Sequence, residues 1–207
     1  MHTPTDPVAE PAGPAEPTTP AEHAARVSAE RIIMPLFLAS LSMGFAVVLL
    51  LYFIMRARAP AWPPPGTPPL PAGLWLSTAF IVCSSLTMHW ALRSARAGRP
   101  VALRAATLAT LLLAVGFLAS QTVNWLLALA AKMPPGLNMY ALTFYLLTGL
   151  HAAHVTAGLV PLTWVTVKSF RGRYTPATSS GVRLCAVFWH FVDVVWLILF
   201  GTLMLAG

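Results

Sequence analysis

Acidic residues are nearly missing from most of this 207-residue chain. Of six, five (Asp6, Glu10, Glu16, Glu22 and Glu30) fall within the first 30 positions, and beyond them only Asp193 remains. Charged residues of both signs make up 9% of the sequence, against about 25% in typical soluble proteins. A water-facing surface needs more charge than that to stay monomeric, so a soluble domain is excluded. Cysteine is equally sparse. Cys83 and Cys185 both stand inside apolar stretches, which excludes a disulfide framework and a CxxC metal pattern and leaves them as small buried residues. The chain has no paired carboxylates, no nucleophile–base arrangement and no phosphate-binding glycine loop, so it lacks the parts of an independent catalyst. The first 25 residues have no apolar core of the secretory-signal kind.

What the sequence has is apolar length. Hydrophobic residues are 57% of the chain, and five runs reach the ~20 residues needed to cross a bilayer. They lie near 32–55, 74–92, 105–131, 139–167 and 182–205. Transmembrane barrel strands would instead alternate over about ten residues. The expected class is all-α, a polytopic membrane helical bundle of five transmembrane helices. Residues 1–31, rich in Pro, Ala and Glu, read as a disordered cytoplasmic tail with too little apolar surface to offset its ordering entropy. Residues 32–207 read as the membrane domain.

Orientation follows from the basic residues. Arg26, Arg31, Arg93, Arg96, Arg99, Arg104, Lys168, Arg171, Arg173 and Arg183 fall on the side of the tail, while Arg56, Arg58 and Lys132 fall opposite. Ten against three places the N-terminus in the cytoplasm. The same scatter between apolar runs argues against nucleic acid, despite a formal net charge of +7. Trp62, Trp75 and Trp125 lie near span ends, as interface anchors do. Gly149, Ala153 and Ala157 recur every four residues and read as a face for close helix approach. Pro161 is the natural point for a bend in the fourth span, which at 29 residues (139–167) is longer than a bilayer requires.

Ionisable groups inside a membrane are costly and are the first place to seek function. The set is His89, His151, His154, His190 and Asp193, joined by the amides Gln121 and Asn124. His151 and His154 share one helix face, about 60° apart. His190 and Asp193 repeat the spacing. Three readings stay open on the residues alone. Two histidines and a carboxylate can form a metal triad, although the di-iron bundle pattern needs intramembrane glutamates that are absent here. A haem between histidines of different spans is chemically allowed. The expectation is the third: a structural polar network of Gln121, Asn124, His151, His154, His190 and Asp193 that orients the spans and satisfies Asp193. One acid cannot by itself form a proton path.

The last span reads FWHFVDVVWLILF over residues 188–200. It resembles the WHFVDVVW signature of subunit III of the heme–copper oxidases, the family of cytochrome c and quinol oxidases. GLHAAHV at 149–155 is similar to the G-[FL]-H-x-x-H-V segment of that family's penultimate helix. WPPPG at 62–66 and FLASQ at 117–121 also match. The resemblance covers roughly residues 32–207 and corresponds to the five-helix form. It implies a non-catalytic subunit in a bacterial cell membrane, packed beside catalytic subunit I, with subunit II in the same proton-pumping complex. The haems and copper would belong to the catalytic partner, and no cofactor or metal to this chain. The resemblance also associates the subunit with bound phospholipid, with proton uptake into the catalytic subunit and with resistance to inactivation during turnover.

Two departures stand out. The family usually carries an intramembrane glutamate after FLAS, where this chain has Leu41, and another in QxxE, where it has Asn124. Functions that need those carboxylates are in doubt. The expectation is a cytochrome c oxidase subunit III. Its rivals are the corresponding protein of a quinol oxidase or nitric oxide reductase, a small transporter, and a free-standing metalloenzyme. The absence of an internal repeat and of paired broken helices weakens the transporter.

Overall fold

The computed structural model describes residues 20–175 and 179–205, with side chains from 32 to 175 and from 179 to 204. Among the described residues all regular structure is helical: α1 Pro20–Arg58, α2 Gly73–Arg96, α3 Pro100–Ala130, α4 Met139–Phe170 and α5 Ser180–Leu205. Each of the five is long and apolar enough to cross a membrane.

The helices outrun the apolar runs, for identifiable reasons. α3 starts at Pro100, five residues before 105, because proline at the first helical position has its φ preset and loses no hydrogen bond there. α2 continues past Leu92 through Arg93 and Arg96 in its last turn, where cations offset the carbonyl end of the helix. It stops at Gly98, whose φ of 63° is left-handed and open to glycine without steric cost. Asn138 caps α4, its side-chain oxygen accepting from the Ala141 amide at 2.9 Å. α4 runs through Pro161 without a break. α1 begins at Pro20, so residues 20–31 are helical backbone where the sequence suggests a disordered tail. Residues 1–19 lie outside the described residues.

The chain divides into two units, residues 1–39 and 40–207. In the first, the opening half of α1 exposes Ile32, Ile33, Leu36 and Phe37. In the second, α2 packs on α3, α3 on α4, α4 on α5 and α5 again on α2, closing a ring of four helices. The α1 segment of that unit buries Phe45 and Tyr52 but exposes Met43, Val47, Leu50, Leu51 and Phe53. In hydrocarbon such exposure carries no penalty, so the bundle depends on close packing and interhelical hydrogen bonds.

The close-packing face of α4 differs from the expected one. Ala153 and Ala157 are exposed, and His151, Ala152, Val155 and Gly158 point inward. A side chain at Gly149 would meet nothing within 4 Å, whereas a Cβ at Gly158 would stand 2.7 Å from Cε1 of Phe188 and 3.2 Å from Cζ3 of Trp189. Gly158 is therefore the point where α5 reaches the α4 backbone.

Candidate functional site

The signature helix α5 runs antiparallel to α2 along a seam of hydroxyls. Trp189 Nε1 donates to Ser84 Oγ at 3.0 Å, and Trp196 Nε1 donates to Thr78 Oγ1 at 3.0 Å. Between them, His190 Nδ1 and Ser85 Oγ are 2.8 Å apart. Trp75 meets Phe200 edge-on with centroids 4.9 Å apart. Each hydroxyl turns its own hydrogen back to the helix: Ser84 to the Ile81 carbonyl at 2.8 Å and Thr78 to the Leu74 carbonyl at 2.9 Å. That leaves the oxygen lone pairs free for an indole N–H from the next helix.

Asp193 lies on the same side as this seam. It is buried, and its Oδ2 is 4.0 Å from His190 Nδ1. Ser85 stands beside it, yet neither carboxyl oxygen has a hydrogen-bond partner among the described residues. His89 of α2 completes the group, with its ring centroid 6.3 Å from that of His190.

The α4 histidines sit elsewhere. His151 is fully buried between Trp196 at 5.0 Å, Phe117 at 5.5 Å and Phe45 at 6.4 Å. Neither of its nitrogens is hydrogen-bonded among the described residues. His154 folds back on its own helix, Nδ1 lying 2.7 Å from the Leu150 carbonyl, with the Phe45 ring at 4.8 Å. Among the described residues, then, hydrogen bonds do not join the His151/His154 pair to His190 and Asp193. On α5, His190 is bonded to Ser85 of α2 instead.

The amides divide in the same way. Gln121 is fully buried, with neither amide atom hydrogen-bonded among the described residues. Asn124 donates through Nδ2 to Ser77 Oγ at 3.0 Å, and Ser77 bonds Ser120 at 2.9 Å. The Asn124 Oδ1 occupies the space a Cβ at Gly73 would need, so glycine at the start of α2 is what lets α3 approach. Leu41 is partly exposed on α1. Further clips join α3 to α2 (Thr87 and Thr110, 2.9 Å) and α3 to α4 (Trp125 Nε1 to Thr148 Oγ1, 3.0 Å). Two of the expected interface tryptophans are thus engaged within the protein, because Trp62 Nε1 also donates to Tyr52 at 3.1 Å. Trp75 remains exposed.

The arrangement holds helices together, and among the described residues no group of three or more His, Cys, Asp or Glu is placed to hold a metal ion. Sequence reasoning missed Ser77, Thr78, Ser84 and Ser85. A hydroxyl within an apolar span carries no charge to single it out, so the sequence offered no signal for these four.

Comparison with known proteins agrees with this frame. The family model described as cytochrome c oxidase subunit III matches residues 15–207. A cytochrome c oxidase subunit 3 of Synechocystis sp. is 35% identical over 167 residues, covering 80% of this chain and 70% of that protein. Probable cytochrome c oxidase subunits 3 of Nocardia farcinica and Mycobacterium tuberculosis are each 32% identical, over 81% and 79% of this chain and 83% and 81% of theirs. With its five apolar helices and its WHFVDVVW span committed to the α2–α5 seam, the chain belongs to the cytochrome c oxidase subunit III family.

Proposed function

We propose that the chain is the non-catalytic subunit III of a bacterial, proton-pumping terminal oxidase of the cytochrome c oxidase type. It stabilises catalytic subunit I, which carries the haems and copper, and supports its proton uptake. Subunit II completes the complex, the setting is the bacterial cell membrane, and the N-terminus is cytoplasmic, as the ten-to-three basic bias suggests. Bound phospholipid belongs to the same proposal.

The observation that carries it is the use made of the polar side chains in the spans. Trp189, Trp196, Ser84, Thr78, Asn124 and Ser77 are committed to helix–helix hydrogen bonds, and His151 is enclosed by aromatic rings. Side chains used in this way position helices against one another. The named relatives favour cytochrome c oxidase over the quinol oxidase and nitric oxide reductase rivals. Roles needing a carboxylate at position 41 or 124 have no group to perform them, because Leu41 and Asn124 stand there.

Deletion of the subunit tests the proposal. The partner's haem spectrum and initial oxygen reduction should be retained, with activity decaying faster during turnover. Immediate and complete loss of oxygen reduction in an assembled, spectrally normal complex would refute it.

A further inference from the structure

Asp193 is 4% exposed, and neither of its carboxyl oxygens is hydrogen-bonded among the described residues. A carboxyl kept to hold helices together would be bonded, because a buried polar group without a partner costs free energy. His190 Nδ1 stands 4.0 Å from its Oδ2, and the same nitrogen is 2.8 Å from Ser85 Oγ. Ser85 is eight residues inside Arg93, about 12 Å along α2 at ~1.5 Å per residue. His190 and Asp193 are therefore near the middle of a hydrocarbon core ~30 Å thick. Ionisable groups at that depth mark ion paths and proton relays more often than struts.

The group is not sealed. The His190 side chain keeps 35% exposure, and its ring centroid is 6.3 Å from that of His89, one turn nearer the end of α2. A ring rotation or one bridging water closes such a spacing. His89 in turn lines a recess of about 510 Å3 with Arg93, Ser94 and Arg99, where α2 turns into α3. From that polar recess His89, His190 and Asp193 step inward in order. Other titratable groups of α2, α4 and α5 are turned elsewhere. His151 is enclosed by Trp196, Phe117 and Phe45, and His154 meets the Leu150 carbonyl. Cys83 is exposed, and Cys185 lies beside Tyr174.

We infer that Asp193 is a proton-exchange site in the middle of the membrane, loaded from the α2–α3 end through His89 and His190. The step balances within these residues. Neutral His190 takes a proton at Nε2 and gives the one on Nδ1 to the Asp193 carboxylate, ending neutral with its proton on the other nitrogen. His89 supplies that proton after taking one from water in the recess, and Asp193 passes from carboxylate to carboxylic acid. Ser85 Oγ holds the His190 ring in place, and the reverse sequence returns the proton. The inference deepens the proton-uptake element of the proposed function by naming a group, and rests on that reading only for the proton's destination.

The test is infrared difference spectroscopy on the intact complex that co-purifies with the chain, taken between low and high pH and after transfer from H2O to D2O. The carboxyl C=O band of protonated Asp193 should be present at low pH, disappear at high pH, shift in D2O and be missing from the Asp193→Asn complex. His89→Phe should leave the band in place at equilibrium and slow its shift in D2O by about tenfold or more. His190→Phe should slow it at least as much. A carboxyl band that persists at every pH at which the complex stays assembled would overturn the inference. So would a difference spectrum that Asp193→Asn leaves unchanged, or an exchange rate untouched by His89→Phe. His89 is exposed, so its variant should assemble even where His190→Phe does not. Absence of haem from the co-purified complex would count against the oxidase assignment and leave the infrared result standing.

Discussion

Ser84→Ala is the smallest change that probes the α2–α5 seam. Ser84 and Trp189 are both buried, at 0% and 1% exposure, and the substitution removes the acceptor that Trp189 Nε1 uses at 3.0 Å. Loss of the serine's own bond to the Ile81 carbonyl matters less, because that carbonyl keeps its helical partner. A stranded buried donor costs about 1–3 kcal/mol in water-soluble proteins. In bilayers interhelical hydrogen bonds average ~0.6 and reach ~1.7 kcal/mol, because the separated helices also find partners. The bilayer range governs here, so the expected loss is about 0.6–1.7 kcal/mol. Trp189→Phe removes the donor but also part of the ring that packs over Gly158, so alone it should cost more. The discriminating quantity is therefore the coupling in the double-mutant cycle. Reversible unfolding in mixed SDS micelles, followed by helical circular dichroism, measures it. Ser84→Ala should cost almost nothing in the Trp189→Phe background. An equal cost in both backgrounds would show that the serine stabilises through something other than the indole bond.

Asp193→Leu removes a buried carboxyl with no hydrogen bond among the described residues, so stability in the same assay should not fall; a loss of more than about 1 kcal/mol with Leu but not with Asn would restore Asp193 to a structural network. Gly149→Ala and Gly158→Ala should have opposite signs. Both gain up to ~1 kcal/mol of helix propensity, but only the second forces a methyl to 2.7 Å from Phe188, an overpacking worth ~1–3 kcal/mol. For topology, Pro65→Cys and Ala97→Cys, both at exposed positions, are placed in a background without Cys83 and Cys185. An impermeant maleimide should label position 65 from outside and position 97 only after permeabilisation; labelling of both from one side would overturn the orientation.

The bundle was legible because hydropathy is a local property, and every apolar run appears as a helix. The ends were less so. Counting stopped at Arg104 and Leu92, while the backbone stays helical through Pro100–Ala130 and Gly73–Arg96, since charged residues at span ends break the apolar run without breaking the hydrogen-bond ladder. On α4 the four-residue series Gly149, Ala153 and Ala157 suggests one face, but the face that packs inward carries His151, Ala152, Val155 and Gly158, which the four-residue period does not pick out. Gly158, where a Cβ would stand 2.7 Å from Phe188, marks the packed face. The tryptophans of the last span were visible as a motif, but their partners Ser84 and Thr78 were not, because a hydroxyl in a span carries neither charge nor periodic cue. The histidine pairs shared faces as expected, but which neighbour each face meets depends on the order of helices around the ring.

Asn124 shows how this chain differs from the glutamate-bearing pattern it otherwise resembles. An ionised carboxylate at that position could only accept hydrogen bonds, and a protonated one could donate a single bond. The amide donates through Nδ2 to Ser77 while its oxygen lies over Gly73, serving two elements of α2 at once without a group that can ionise. Its neighbour one turn away, Gln121, is buried and also uncharged. Position 41 is apolar. Asn124 thus makes an uncharged joint between α2 and α3. Asp193 is left as the only carboxyl within the spans, on the far helix and beside His190. Within the spans, therefore, the α2–α3 joint has no acid to offer, and the remaining carboxyl stands beside the α2–α5 seam.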